Sequence, residues 1–266
     1  MSEPPADPAP TTGHPRLTRL WHWANVIILP VMLMSGLTIF NAHPRLYWGH
    51  AGNLNDYAWF AVGSSPTQSY VRIGETRIPS TGWIGNWTDD RGRIQTWAFP
   101  SWATIPSRYD LAAGRRWHFF FAWLMAGGLA AYMIGSLANG HIRRRLHLSR
   151  TEWYPRSIWR DMRDHLSLSM RHRAELQHYN ILQKFAYIGV IFLALPVMIA
   201  TGLAMAPGMD ASAPWLVDLF GGRQSARSVH FITAFSLLAF FLIHMAMLLV
   251  SRPLARLRTM VRGRPA

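Results

Sequence analysis

The sequence predicts an all-α integral membrane protein: a four-helix transmembrane bundle, N-in and C-in, with a long irregular Trp-rich periplasmic loop between helices 1 and 2. Three observations predict it. First, four apolar spans, Leu20–Phe40, Trp117–Asn139, Phe185 to about Met205, and Ser228–Ser251, carry no Lys, Arg, Asp or Glu. Each is long enough to cross a hydrocarbon layer about 30 Å thick. Second, half of the 266 residues are hydrophobic and only 15% are charged, against roughly 25% in soluble domains. Third, the connection between the second and third spans carries nine Arg against four acids, including Arg143, Arg144 and Arg145, and the tail after Ser251 carries five Arg and no acid. By the positive-inside rule both segments are cytoplasmic, which puts the N-terminus there too.

Residues 1–15 are Pro-rich, with two acids and without the basic start and apolar centre of a signal peptide. They are expected to be a disordered tail ahead of a transmembrane domain at 16–252, which includes the outer loop at 41–113. Residues 253–266 form a basic cytoplasmic tail. The formal charge of +14 raises nucleic acid as a partner. Because the arginines flank apolar runs, membrane lipid is the expected contact and nucleic acid is not. Arg115 and Arg116 run against this rule at the outer end of the second span, and indicate an anionic group there.

The outer loop holds six of the 13 Trp: Trp48, Trp59, Trp83, Trp87, Trp97 and Trp102. Its turn residues, Gly82, Gly85 and Asp89-Asp90-Arg91-Gly92, fit short strands or loops better than helix. The tryptophans suit an aromatic belt at the lipid interface or a docking surface for a periplasmic partner. An internal echo also runs through the chain. Leu29-Pro30-Val31-Met32 with Gly36-Leu37 is matched by Leu195-Pro196-Val197-Met198 with Gly202-Leu203, and Arg115, His118, Phe119, Ala122 by Arg227, His230, Phe231, Ala234. The chain reads as two related hairpins, each with a proline expected to kink a spanning helix.

Absence of cysteine removes disulfides, thiolate zinc sites, iron–sulfur clusters and covalently attached c-type haem. Histidine is the remaining soft ligand. His230 and His244 are fourteen apart, about 40° short of four full turns and about 21 Å along a helix. They share one face. His22 lies near the cytoplasmic start of the first span, level with His244, and His118 near the outer start of the second, level with His230. Two pairs at two depths are what two bis-histidine b haems require, one imidazole coming from each of two facing helices. Six-coordinate iron leaves no open position, so electron transfer is expected rather than oxygen chemistry.

Competing readings are a hydrogen-bonded bundle histidine, a proton path, and a zinc or copper site, which needs ligands clustered at one level. The other eight histidines lie in tails or loops. Arg115, Arg116 and Arg227 suit the propionates of the outer haem, and Arg16 or Arg19 those of the inner one, or all snorkel to headgroups. Gly36, Gly127, Gly128 and Gly202 would make room for porphyrin edges or for close helix packing.

At these residues the chain resembles a known family. Arg19-Leu20-Trp21-His22-Trp23, Arg116-Trp117-His118 and Tyr179-Asn180-Ile181-Leu182-Gln183-Lys184, with the fourteen-residue histidine spacing, are similar to the bacterial cytochrome b561 and nickel–iron hydrogenase b-type cytochrome family. Ala42-His43-Pro44 and Tyr47-Trp48-Gly49 resemble its thiosulfate reductase cytochrome b subunit-like branch. The resemblance runs from about Arg16 to Arg252. It implies a subunit of the bacterial inner membrane that binds two b haems and passes electrons between a periplasmic catalytic subunit, a molybdopterin oxidoreductase or similar, and the quinone pool. It puts the outer haem on His118 and His230 and the inner one on His22 and His244. A quinone site beside the inner haem falls on Asn180, Gln183 and Lys184, whose amides and ammonium can hydrogen-bond quinone oxygens and supply protons. Two rivals remain: a self-contained superoxide–quinone oxidoreductase of the same fold, against which the long loop argues, and a haem-free transporter or anchor.

Overall fold

The structure, a computed structural model, describes residues 16–139, 154, 156, 159, 181–250 and 253–262. Four helical stretches in it are long and apolar enough to cross a membrane: Arg16–Asn41, Leu111–Ala138, Lys184–Ala204 and Arg223–Val250. We label the helices α1 (Arg16–Asn41), α2 (Leu111–Ala138), α3 (Ile181–Ile188), α4 (Leu195–Ala204), α5 (Pro207–Ser212), α6 (Pro214–Leu219), α7 (Arg223–Val250) and α8 (Pro253–Arg262). Three of the spans start a turn or more before the apolar sequence does. Arg16 and Arg19, Arg115 and Arg116, and Arg223 and Arg227 continue the helices with long side chains whose charge can reach the interface.

The two prolines of the repeat are handled differently. Pro30 lies inside α1, which stays one helix from end to end. Pro196 follows a π-helical stretch, Gly189–Ala194, and so stands in the first turn of α4. The helix runs on through this stretch, and the wide π turn accommodates the carbonyl that the proline nitrogen leaves without a donor.

The segment between α1 and α2, expected to be irregular, is instead a small β structure, because short strands between its turn residues pair with one another. Strands β1 (Arg45–Leu46), β2 (Phe60–Ser64), β3 (Ser69–Ile73) and β4 (Thr76–Pro79) form an antiparallel sheet in sequence order, with Val62 opposite Val71. Strands β5 (Trp87–Thr88) and β6 (Ile94–Gln95) make a second hairpin. Phe40, Leu46, Val62 and Ala98 are buried together, with Phe60, Phe99 and Phe231 against them. The rings of Phe40 and Phe60 lie 4.9 and 5.0 Å from that of Phe231, so this core clamps the loop to α7 one residue from His230.

Polar ties reinforce the clamp. The Gly49 carbonyl accepts from the N–H groups of Gln224 and Ser225, and the Gly49 N–H donates to Ser225 Oγ. A loop backbone thus satisfies the first turn of α7, whose donors have no partner in the helix. Ser228 Oγ donates to the Tyr47 carbonyl at 2.6 Å and accepts from Trp59 Nε1 at 2.9 Å. At the other ends of the loop, the Asn41 amide exchanges two bonds with the Phe99 backbone, and Asp110 caps α2 through the Ala113 N–H.

By contacts the chain falls into two compact units. A loop-side unit comprises Ala24–Ala130 and Gly189–Ala239, and a terminal-side unit comprises Met1–Trp23, Ala131–Ile188 and Phe240–Ala266. In the terminal-side unit, the segment expected as a basic tail contains a helix, α8. Arg19 Nη1 donates to the Val261 carbonyl at 2.9 Å and Trp23 Nε1 to that of Met260 at 3.4 Å. Two side chains of α1 thereby occupy carbonyls of the last turn of α8, which the helix itself leaves open.

Candidate functional site

The loop-side unit brings His118 of α2 and His230 of α7 together, with ring centroids 6.2 Å apart and planes at 63°. Behind each ring stands a copy of the same short sequence. Behind His118, the Ser35 hydroxyl is 2.6 Å from the Val31 carbonyl and 3.2 Å from Nδ1, and the Met32 carbonyl is 3.1 Å from Nδ1. Behind His230, the Thr201 hydroxyl is 2.6 Å from the Val197 carbonyl and 2.9 Å from Nδ1. Ser35 and Thr201 are fully buried.

This arrangement fixes a tautomer. A hydroxyl has one hydrogen, and at 2.6 Å it goes to the carbonyl one turn back. Towards the imidazole the hydroxyl can only accept, so Nδ1 carries the hydrogen and Nε2 carries the free lone pair. Glycine lets the rings in. A Cβ on Gly36 would stand 3.3 Å from His118 Cε1, and one on Gly202 3.6 Å from His230 Cε1. Both glycines lie against imidazoles, whereas Gly127 has nothing within 4 Å of that position.

The terminal-side unit brings His22 of α1 and His244 of α7 together, with centroids 6.4 Å apart and planes at 60°. Trp23 packs edge-on to His22 at 5.5 Å, and Phe240 stacks on His244 at 6.0 Å. His22 Nδ1 is buried with no hydrogen-bond partner among the described residues. His244 is exposed.

Both pairs fit a shared metal. A metal–imidazole bond is about 2.0–2.1 Å and a ring centroid lies about 1.1 Å behind its nitrogen, so two rings trans on one ion stand a little over 6 Å apart. Direct packing or a hydrogen bond between the rings would not require that spacing. Among the described residues no three His, Asp or Glu gather into one group; the histidines come as couples. One imidazole on each side of a flat macrocycle is the geometry such couples offer.

The other expected site residues are less assembled. Arg115 and Arg116 are exposed, and the Arg115 guanidinium lies 5.7 Å from the Phe119 ring centre. Arg227 donates to the His43 carbonyl at 2.6 Å. Lys184 is half-buried near the start of the third span. Asn180 and the Gln183 side chain lie outside the described residues, as do Arg143, Arg144 and Arg145. His43, in the loop, is held below the usual histidine range by burial first and then by Arg227 and Arg45.

The six loop tryptophans divide. Trp59 and Trp87 are structural, the first through Ser228 and the second by burial, and Trp97 packs on Trp87 and Tyr109. Trp83 and Trp102 are 80% and 79% exposed and line a cleft of about 400 Å³ with Asp90. Trp48 stacks on Trp59 with ring centres 5.7 Å apart.

Ser35 and Thr201 are missing from the residues singled out in the sequence. The signal was there. Each occupies the place before the glycine in the Leu-Pro-Val-Met repeat, and a hydroxyl at both copies beside a histidine at both copies is the pattern that finds them.

Comparison with known proteins agrees with this frame. The family profile described as prokaryotic cytochrome b561 matches residues 13–263. A protein of Azospira oryzae named as a protein-methionine-sulfoxide reductase subunit, YedZ1, is 28% identical over 254 residues, 94% of this chain and 96% of its own. A protein of Azotobacter chroococcum mcd 1 named as a Ni/Fe-hydrogenase B-type cytochrome subunit is 26% identical over 136 residues, 48% of this chain and 56% of its own. No solved structure matches the chain at a significant level.

Proposed function

Because the chain belongs to the prokaryotic cytochrome b561 family, we propose that this multi-pass membrane protein is the di-haem b-type cytochrome subunit of an oxidoreductase, carrying electrons between a periplasmic catalytic partner and the quinone pool of a bacterial inner membrane. The observation that carries the reading is the pair of imidazole couples, at 6.2 and 6.4 Å, each at the spacing of two ligands on one iron.

In this reading His118 and His230 hold one haem b, and His22 and His244 the other. When bound, each haem would supply one-electron chemistry. The chain's own residues do the rest. The loop-side imidazoles present Nε2 because Ser35 and Met32 occupy Nδ1 of His118 from behind, and Thr201 that of His230. At the terminal side the orphaned Nδ1 of His22 leaves that ring freer to turn. Arg115 and Arg116 stand ready for the propionates of the loop-side haem.

Asn180 and Gln183 would hydrogen-bond the two quinone oxygens, and Lys184 would supply the proton that a reduced oxygen takes up. The partner would be a molybdopterin oxidoreductase or similar. The relative named as a protein-methionine-sulfoxide reductase subunit supports a catalytic partner, and exposed Trp83 and Trp102 give it an aromatic surface of the kind that binding hot spots use.

The test is a reduced-minus-oxidised spectrum of the detergent-purified chain, with the pyridine haemochrome quantified per polypeptide. Two haem b per chain is the expected result. No haem in folded, haem-supplied protein would sink the proposal and leave a proton path or a passive anchor.

A further inference from the structure

We infer that Ser35 and Thr201 are positioning residues for the loop-side pair, locking both imidazoles as Nδ1–H donors and thereby lowering the reduction potential of an iron held between His118 and His230, a step that rests on the haem assignment proposed above. Three observations carry it. Both hydroxyls are fully buried and spend their one hydrogen on a carbonyl 2.6 Å away. Both therefore face the imidazole as acceptors, at 3.2 Å for Ser35 and 2.9 Å for Thr201. His118 shares its N–H with the Met32 carbonyl as well, at 3.1 Å.

The consequence is electronic. An imidazole whose N–H donates to oxygen is a more basic ligand and favours ferric over ferrous iron. The acceptors behind the two imidazoles add in the same direction. His22 lacks the corresponding partner among the described residues, so the device belongs to one of the two pairs.

The oxygens also set ring orientation. Each imidazole is held at Nδ1 and backed by a glycine, Gly36 or Gly202, which fixes the 63° between the planes. In a ferric low-spin centre the anisotropy of the electron paramagnetic resonance spectrum follows that angle. Potential and spectrum are thus two readouts that a merely structural role for the hydroxyls would leave alone.

The experiment is an optical redox titration of the haem-loaded, full-length protein, with spectra of the oxidised form. It compares the parent with Ser35→Ala, Thr201→Val and their combination, and with the conservative Ser35→Thr and Thr201→Ser. The expected result is that one of two midpoints rises, most in the combination, by up to about tenfold in the ferric-to-ferrous equilibrium, which is about 59 mV for one electron. The other midpoint stays, the outermost resonance of one centre moves, and the conservative variants keep the parent values. A variant that loses one haem while its conservative counterpart keeps both supports the same role. Unmoved midpoints, equal movement of both, or conservative variants that behave like the deletions would overturn it. A parent protein without haem would instead fail the underlying assignment, and this inference with it.

Discussion

On the loop side, each imidazole of the pair is fastened from behind by a hydroxyl, with a carbonyl added at His118, and α7 is tied to a β structure that caps the helix start. On the terminal side, His22 Nδ1 is buried without a partner among the described residues and His244 is exposed. Yet the ring spacings differ by no more than 6.2 against 6.4 Å. Spacing is set by where the helices put the histidines. Stiffness is set by what stands behind them, and His22 lacks the partner that His118 and His230 have.

The largest effect should come from removing a ligand from either pair. His230→Ala and His244→Ala should each lower haem content from two to one per chain, measured by pyridine haemochrome. They should remove different centres: the survivor of His244→Ala is the one whose midpoint responds to Ser35→Ala, and the survivor of His230→Ala is insensitive to it. Survival of both haems in either variant would break the pairing itself.

Next is the anchor of the loop on α7. Gly222 has φ +110°, and a Cβ there would stand 2.5 Å from the carbonyl carbon and oxygen of Gly49. Backbone cannot move aside as a flexible side chain can, and a left-handed φ costs an alanine about 1–3 kcal/mol before the clash is counted. Gly222→Ala should therefore lower the thermal stability of the haem-loaded protein and release one haem ahead of the other on heating, followed by absorbance. Simultaneous release would show that the loop does not support one pair selectively.

How much of this was legible beforehand follows the same division. The four spans and both histidine couples could be read because each rests on local pattern: apolar length and spacing along a helix. The outer loop reads as irregular, because turn residues mark where strands end and not which strands pair. Nor could the anchor be read. Gly49 meets Gln224 and Ser225 across more than 170 residues, and a lone Gly-Gly before α7 reads only as a turn. The helix at Pro253–Arg262 was hidden by its arginines, which signal topology as strongly as structure; its apolar face, Leu254, Leu257 and Val261, repeats at helical spacing. Ser35 lay in plain view and was passed over, because a serine in an apolar span usually bonds back to its own helix. It does so here, and the histidine uses what remains.

The two glycine seats offer a finer test. Gly36→Ala puts a methyl 3.3 Å from the His118 ring, where something must give by a few tenths of an ångström, whereas Gly202→Ala at 3.6 Å from the His230 ring is ordinary contact. Gly36→Ala should shift the ferric spectrum of one haem and cost up to about 1–3 kcal/mol if the ring cannot yield. Gly202→Ala should be close to silent. Equal effects would mean that the repeat is more symmetric than the structure shows.

The smallest effect is acid-dependent and confined to the loop. Asp89 sits at the head of the β5–β6 hairpin, where Oδ1 accepts from the N–H groups of Arg91 and Arg93 and Oδ2 from the Arg93 guanidinium and the Gln95 amide. The backbone N–H of Arg93, followed by the other donors, pulls the carboxyl down to about 2. A folded value below the unfolded one, about 4, means that the unfolded chain takes up the proton first. The stabilisation is therefore complete above about pH 4 and is lost as the pH falls towards 2. Protection of the Arg91 and Arg93 amides against hydrogen exchange should fall over that window in the parent. In Asp89→Asn it should be lower at pH 5 and nearly independent of acid. No carboxylate is present among the described residues of the terminal-side unit, so α8 and the amides around His22 should show no such step. A matching loss there would mean that acid acts on the whole bundle rather than on a single hairpin.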